Sequence, residues 1–263
     1  MLRYVTAPDG VQIACEVQGA GPPLVLVHGA GSARWGFDLL RPHLEEAFTV
    51  TTINRRGRGD SGDGDGEYAV ALEFEDVAAV VEGAGDGAFL VGHSYGALVS
   101  AGATALLPAL PRLVLYEPPM GGVLADEAWI ERYEGLLAIG EEELAVRSFL
   151  RDIGGYTDAE VDTMQATPAW GSRLAVAPTV PRELRAEAAL DLAGLELERV
   201  GVPCLMLVGS ESPAWARRST EAFAAALPDA RVRTLEGQGH GGSVSAPELV
   251  AREVSAFLTG APA

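Results

Sequence analysis

One stretch near the middle of the chain, Ala88-Phe89-Leu90-Val91-Gly92-His93-Ser94-Tyr95-Gly96-Ala97-Leu98, limits what the rest can fold into. An apolar run of strand type ends at Gly92, a polar turn follows, and a small-residue run of helical type begins at once. A serine at the apex of such a strand-to-helix turn is pushed out of the strand edge with its hydroxyl exposed. Gly92 and Gly96 are required sterically, because a side chain at either position would collide where strand and helix cross. Ser94 is therefore the candidate nucleophile.

The surrounding order fits a sheet built on that turn. Residues 2 to 6 and 11 to 17 read as strands joined by the turn signal Pro8-Asp9-Gly10, an opening hairpin. Leu24-Val25-Leu26-Val27 is a continuous apolar run, as a strand buried on both faces must be. Further strands are expected at 48–53, 88–92, 112–116, 202–208 and 231–235, with helices at 36–46, 71–83, 95–107, 213–227 and 246–258 between and after them. Short apolar strands alternating with helices predict a mostly parallel, eight-stranded α/β sheet flanked by helices. From 118 to 200 the alternation stops. That stretch shows helical patterns at 126–139, 141–152, 158–166 and 181–190 and no strand, and reads as a helical cap inserted after the sixth strand. The expected organisation is a core in two parts, 1–117 and 201–263, interrupted by a cap over 118–200. At 263 residues and 48% hydrophobic, the chain can bury one large core.

Charge narrows the partners. With 19 basic against 37 acidic residues the net charge is −18, which repels nucleic acid and anionic membrane and favours a small-molecule partner. A homodimer is left open. No basic-plus-apolar leader and no apolar run near 18 residues occurs, so a cytoplasmic location is expected. Cys15 and Cys204 each fall inside a strand and read as buried free thiols. No metal is expected, because the histidines and carboxylates lack ligand spacing, and no cofactor is expected either. Gly57-Arg58-Gly59-Asp60-Ser61-Gly62 has the spacing of a dinucleotide fingerprint. It does not follow the first strand, however, and Asp63-Gly64-Asp65-Gly66 after it could not continue a helix.

A serine hydroxyl becomes a useful nucleophile when a base takes its proton. Of the 4 histidines, His28 lies in a Gly-rich turn, His43 near a helix end, and His93 inside the elbow with its side chain turned from Ser94. His240, in Gly239-His240-Gly241-Gly242 after the last strand, is on a loop that can return over the elbow, and is the candidate base. Backbone N–H groups of Tyr95, just after the nucleophile, and of Ala30, in His28-Gly29-Ala30 after an earlier strand, are the candidate oxyanion donors.

In combination, His28-Gly29, Arg56-Gly57-Arg58-Gly59-Asp60-Ser61, Gly92-His93-Ser94-Tyr95-Gly96 and Gly239-His240 resemble the α/β-hydrolase family over most of the chain outside the cap. The resemblance implies a third catalytic member, a carboxylate that orients the histidine. In the family this is usually an Asp after the seventh strand, in a Gly-x-x-Asp context, but here that loop reads Gly209-Ser210-Glu211-Ser212-Pro213. Some members, those similar to haloalkane dehalogenases, carry the acid after the sixth strand. There this chain has Tyr116-Glu117-Pro118-Pro119, so Glu117 is the first choice and Glu211 the alternative. Members that open epoxides or displace halide have Asp at the elbow, whereas Ser94 suits acyl transfer to water. The resemblance implies a serine hydrolase of an ester, lactone or thioester of a small, largely apolar compound. Two alternatives are a cofactor-independent lyase or cyclase and a non-catalytic binding protein on the same scaffold. Trp35, Trp129, Tyr133, Phe149 and Trp170 are the candidate pocket lining; Arg173, Arg182 and Arg185 are cap cations of a kind that could meet a substrate carboxylate, but exposed helix arginines more often do not, and none is assigned that role.

Overall fold

The computed structural model describes residues 1–107, 110–167 and 169–260. Its strands are β1 (Leu2–Thr6), β2 (Gln12–Gly19), β3 (Pro23–Val27), β4 (Thr49–Ile53), β5 (Phe89–His93), β6 (Leu113–Tyr116), β7 (Cys204–Gly209) and β8 (Ala230–Leu235). They form one sheet in the order β1-β2-β4-β3-β5-β6-β7-β8. β2 pairs antiparallel with both β1 and β4, and every other pairing is parallel. The sheet is thus the mostly parallel one that the alternation of strands and helices predicts.

The apolar runs in the central strands serve two faces, because successive side chains alternate across a sheet. Leu24, Leu26, Val91, Val114, Leu205 and Leu207 pack on one face, against α1 (Arg41–Glu45) and α11 (Pro247–Thr259). Val25, Val27, Leu90, Leu113, Leu115 and Met206 pack on the other, against α2 (Val70–Ala84), α3 (Tyr95–Ala103) and α9 (Ala214–Ala226). Burial of each such side chain is worth about 1.5–3 kcal/mol. Cys15 and Cys204 are free and buried in these layers, and burial pushes both thiols up to about 12.

The helix expected over 36–46 is instead a tight turn at Arg34–Phe37 followed by the short α1. Pro42 has no N–H and its ring collides with a preceding helical turn, so a helix begins at it rather than running through it. Short α10 (Gly242–Ser245) precedes α11. The insertion between β6 and β7 holds α4 (Glu127–Ala138), α5 (Glu142–Asp152), α6 (Asp158–Gln165), α7 (Ala169–Val176) and α8 (Val180–Ala189). α7 was not expected, since Gly171 and its short apolar pattern give little helical signal. The insertion has its own apolar cluster, in which Tyr133, Val146, Leu150, Val161, Trp170 and Leu184 pack together with Trp215 of α9. No helix among the described residues is long and apolar enough to cross a membrane.

Strand order fixes where the chemistry can occur. β3, β5, β6, β7 and β8 lie side by side, so the loops at their carboxyl ends, carrying Gly29, Ser94, Glu117, Ser212 and His240, open on one edge beneath the helical insertion.

Candidate active site

The elbow has the crowding that its glycines imply. A Cβ on Gly96 would lie 2.2 Å from the Val27 carbonyl oxygen, and one on Gly92 would lie 2.6 Å from the Ala97 Cα. Ser94 takes φ 55° and ψ −128°, a conformation that costs a non-glycine residue on the order of 1–3 kcal/mol. Glu117, also at the end of a parallel strand, has φ 50°. Of the three non-glycine residues with positive φ among those described, Ser94, Glu117 and Glu196, two thus stand at the strand ends that carry the candidate nucleophile and acid.

Ser94, His240, Gly29 and Ala30 line a cavity of about 340 Å³. His240 and Glu117 meet directly, with His240 Nδ1 2.5 Å from Glu117 Oε2. The other carboxylate oxygen accepts hydrogen bonds from the Gly209 N–H at 2.7 Å and the Ser212 hydroxyl at 2.5 Å. Burial works to raise the pKa of this fully buried carboxyl. The bonds from His240, Ser212 and Gly209 outweigh burial and hold it below its ordinary value, so it remains a carboxylate. Glu211 is exposed, and its backbone N–H bonds to Gln238; it makes no hydrogen bond to the imidazole. The acid that reaches His240 is thus the one after β6, while Ser212, standing where the family usually has Asp, supplies a hydroxyl to it.

His240 is held from several sides. His93 Nε2 lies 2.8 Å from the His240 carbonyl oxygen, and burial drives the His93 pKa down to about 3. His93 is consequently neutral and donates from Nε2, clamping the backbone of the loop that carries His240. Tyr116 donates its hydroxyl to the Gly239 carbonyl at 2.7 Å, and the Trp215 ring stands edge-on to the imidazole, centroids 5.1 Å apart. Ser94 and His240 line the same cavity without a hydrogen bond between them; such nucleophile–base contacts commonly tighten only in the Michaelis complex.

The second candidate donor loop is set from behind. Gly29 carbonyl oxygen accepts from Arg55 at 3.0 Å and from His28 Nδ1 at 2.9 Å, while His28 Nε2 accepts from the Arg55 N–H. Gly29 C=O and Ala30 N–H belong to one planar trans peptide, so holding the carbonyl on Arg55 turns the Ala30 N–H to the opposite side. Tyr95 opens α3, where a backbone N–H has no partner within the helix. Its side chain points the other way, with its hydroxyl 2.8 Å from that of Tyr68 and the Arg55 guanidinium 4.9 Å above its ring.

Arg55 belongs to a buried ionic cluster. It lies 2.8 Å from Glu73 and 2.6 Å from Glu183 of α8, and Glu183 also receives Arg58. The cluster links the helical insertion to the loop after β4, and through Arg55 to Gly29. The Arg56-Gly57-Arg58-Gly59-Asp60-Ser61 stretch thus has a structural use: Arg56 pairs with Asp76 at 2.7 Å, and the Ser61 hydroxyl donates to the Asn54 carbonyl at 2.6 Å.

The expected aromatic lining is corrected in part. Trp35 and Phe149 do line the cavity, but Trp129, Tyr133 and Trp170 do not. Trp129 stacks on Tyr133 and donates to Asp152, Tyr133 is buried with its hydroxyl toward the Ala177 carbonyl, and Trp170 is part of the insertion's apolar cluster. These rings complete the packing of a helical layer that must bury its own core, so their apolar area is used there. Leu124, Leu150, Ile153 and Tyr156 form much of the wall instead. Among the cap arginines, Arg182 is bound to Asp63 and Arg185 to Glu127 and Glu134, while Arg173 reaches the cavity. Among the described residues no group of His, Cys, Asp and Glu has the arrangement of a metal site.

Comparison with known proteins agrees with this architecture. A family model described as the alpha/beta hydrolase family matches residues 24–253. The chain is 26% identical over 250 residues to a 2-(acetamidomethylene)succinate hydrolase of Mesorhizobium japonicum, covering 92% of this chain and 89% of that protein. It is 27% identical over 253 residues to a pimeloyl-[acyl-carrier protein] methyl ester esterase of Stenotrophomonas maltophilia, covering 92% and 95%. The crystal structure of an alpha/beta hydrolase from Sphaerobacter thermophilus superposes with a TM-score of 0.83 at 38% identity, covering 97% of this chain and 99% of that one. Sheet order, elbow and family match together establish that this chain belongs to the alpha/beta hydrolase family.

Proposed function

We propose that the protein is a serine hydrolase that cleaves an ester, lactone or thioester, with Ser94 as nucleophile, His240 as base and Glu117 as the orienting acid. The observation that carries this reading is the contact of His240 Nδ1 with buried Glu117 at 2.5 Å, with His240 and Ser94 lining the same cavity. With Nδ1 occupied by the carboxylate, Nε2 is the nitrogen left to serve the hydroxyl. In the proposed cycle His240 takes the Ser94 proton as Oγ bonds to the carbonyl carbon. The N–H groups of Ala30 and Tyr95 hold the oxyanion, and the leaving alcohol or thiol departs with the proton from His240. Water then gives a proton to His240 and its oxygen to the acyl carbon, and the acid is released as Ser94 regains its hydrogen. The relative named as a methyl ester esterase supports the choice of an ester-like bond.

The test is fluorophosphonate labelling read by intact mass. One adduct is expected on the wild-type protein and none on Ser94→Ala. An adduct that persists in Ser94→Ala would remove the nucleophile assignment. Efficient turnover by Ser94→Ala would favour the lyase or cyclase reading, and neither labelling nor turnover would favour a binding protein.

A further inference from the structure

Among the described residues, five of the seven arginines of the helical insertion are paired with carboxylates, and Arg132 and Arg173 are not. Arg147, Arg151, Arg182, Arg185 and Arg199 each lie against a carboxylate, and Arg132 is exposed to water. Arg173, on α7, lines the same cavity as Ser94 and His240, and among the described residues it has neither a salt bridge nor a hydrogen-bond acceptor. Its guanidinium lies over the Trp35 ring, 4.6 Å from the centroid. Burial lowers its pKa, and the phenol of Tyr156 is the group that works the other way. Asp38, a carboxylate at the cavity rim, is exposed and has Arg41, Glu16 and Arg34 as its charged neighbours. The wall around Arg173 is otherwise largely apolar, with Leu124, Phe149, Leu150 and Ile153 facing the same space.

Arg173 is half-buried, and a cation partly withdrawn from water without an anion carries a desolvation cost that is relieved when a ligand brings the anion. We propose that Arg173 is a carboxylate subsite, and that the acyl compound processed at Ser94 bears an ionised carboxylate remote from the carbonyl under attack. This rests on the hydrolase mechanism above. Contact with the Trp35 ring positions the guanidinium, whose paired N–H groups match the two oxygens of a carboxylate. A single cation suits a monoanion, whereas a phosphate dianion would leave net negative charge against an apolar wall. The apolar residues between then accommodate a short methylene spacer.

The probes are the mono-4-nitrophenyl esters of succinate, glutarate and adipate, compared with neutral 4-nitrophenyl esters of equal chain length. For at least one length the wild-type enzyme is expected to show a higher kcat/KM for the hemiester. Arg173→Met is expected to lower that value about tenfold more than it lowers the neutral ester's, chiefly through KM, with part recovered in Arg173→Lys. In parallel, binding of the corresponding free dicarboxylates to Ser94→Ala is measured by calorimetry, and binding is expected to be lost in Ser94→Ala/Arg173→Met. Equal loss on both ester classes, or dicarboxylate binding indifferent to Arg173, would overturn the subsite while leaving the hydrolase reading intact. Arg173-dependent dicarboxylate binding by a protein that turns over no ester would uphold the subsite and overturn that reading.

Discussion

Two buried ionisable clusters flank the elbow, and they are built for opposite ends. On the Ser94 side, Glu117 bonds to an imidazole, a hydroxyl and a backbone N–H. On the Tyr95 side, Glu73 and Glu183 bond to Arg55 and Arg58. Burial acts on both, but the side chains that face the carboxylates differ. The neighbouring carboxylates outweigh burial and push Arg55 above an already high pKa, so Arg55 keeps its charge at any physiological pH and can only fix positions. An imidazole can gain and lose a proton near neutrality, so a carboxylate beside it can support chemistry. The same buried acid is thus a mechanical tie or a catalytic partner according to the base it faces.

The largest test of that contrast is Glu117→Gln. It keeps the shape of the side chain but removes the charge that orients and balances His240, and kcat is expected to fall by about 10⁴, a loss far larger than the accompanying decrease in thermal stability. A loss below tenfold would mean that His240 does not depend on this acid. Glu183→Ala should do the reverse. It leaves Arg55 and Arg58 short of a carboxylate in a site without solvent, which costs about 3–5 kcal/mol in denaturant unfolding. In protein that remains folded, kcat should fall through the freed Gly29 loop, so an unchanged midpoint would show that the cluster is not a tie.

The smallest effect is expected from Ser212→Ala. Glu117 is held below its ordinary pKa, so its contribution to stability is complete above about pH 4.5 and is lost as the pH falls through its lower folded-state value. Removing the Ser212 hydroxyl raises that folded-state value. The variant should therefore unfold in an acid titration at higher pH than wild type, with about 1 kcal/mol lost near neutrality. Coincident acid transitions would show that the Ser212 hydroxyl does not hold the carboxylate.

Much of this was legible in the chain order. The central strands are apolar throughout because both faces are covered, and Gly92 and Gly96 are fixed by a crossing too tight for a Cβ. The acid after β6 was legible only as one of two choices, since Glu211 is nearer in sequence to the position the family usually uses. What separates the choices is that the Glu117 side chain reaches the imidazole while that of Glu211 stays in water. His93 as a clamp on the His240 loop joins residues 147 positions apart, a pairing that carries no local signal. Neither the Arg55 tie to Gly29 nor the Arg173 placement on the unexpected α7 had a periodic pattern to announce it.

The sequence by itself determined the sheet, the elbow and the insertion, because periodicity, apolar runs and glycine sterics act over a few neighbouring residues. Only the tertiary structure decided which carboxylate meets His240, which aromatic rings line the cavity and which arginine enters it without a carboxylate partner among the described residues. Those outcomes depend on how strand ends and cap helices converge across the sheet edge, a geometry set by the packing of the whole chain.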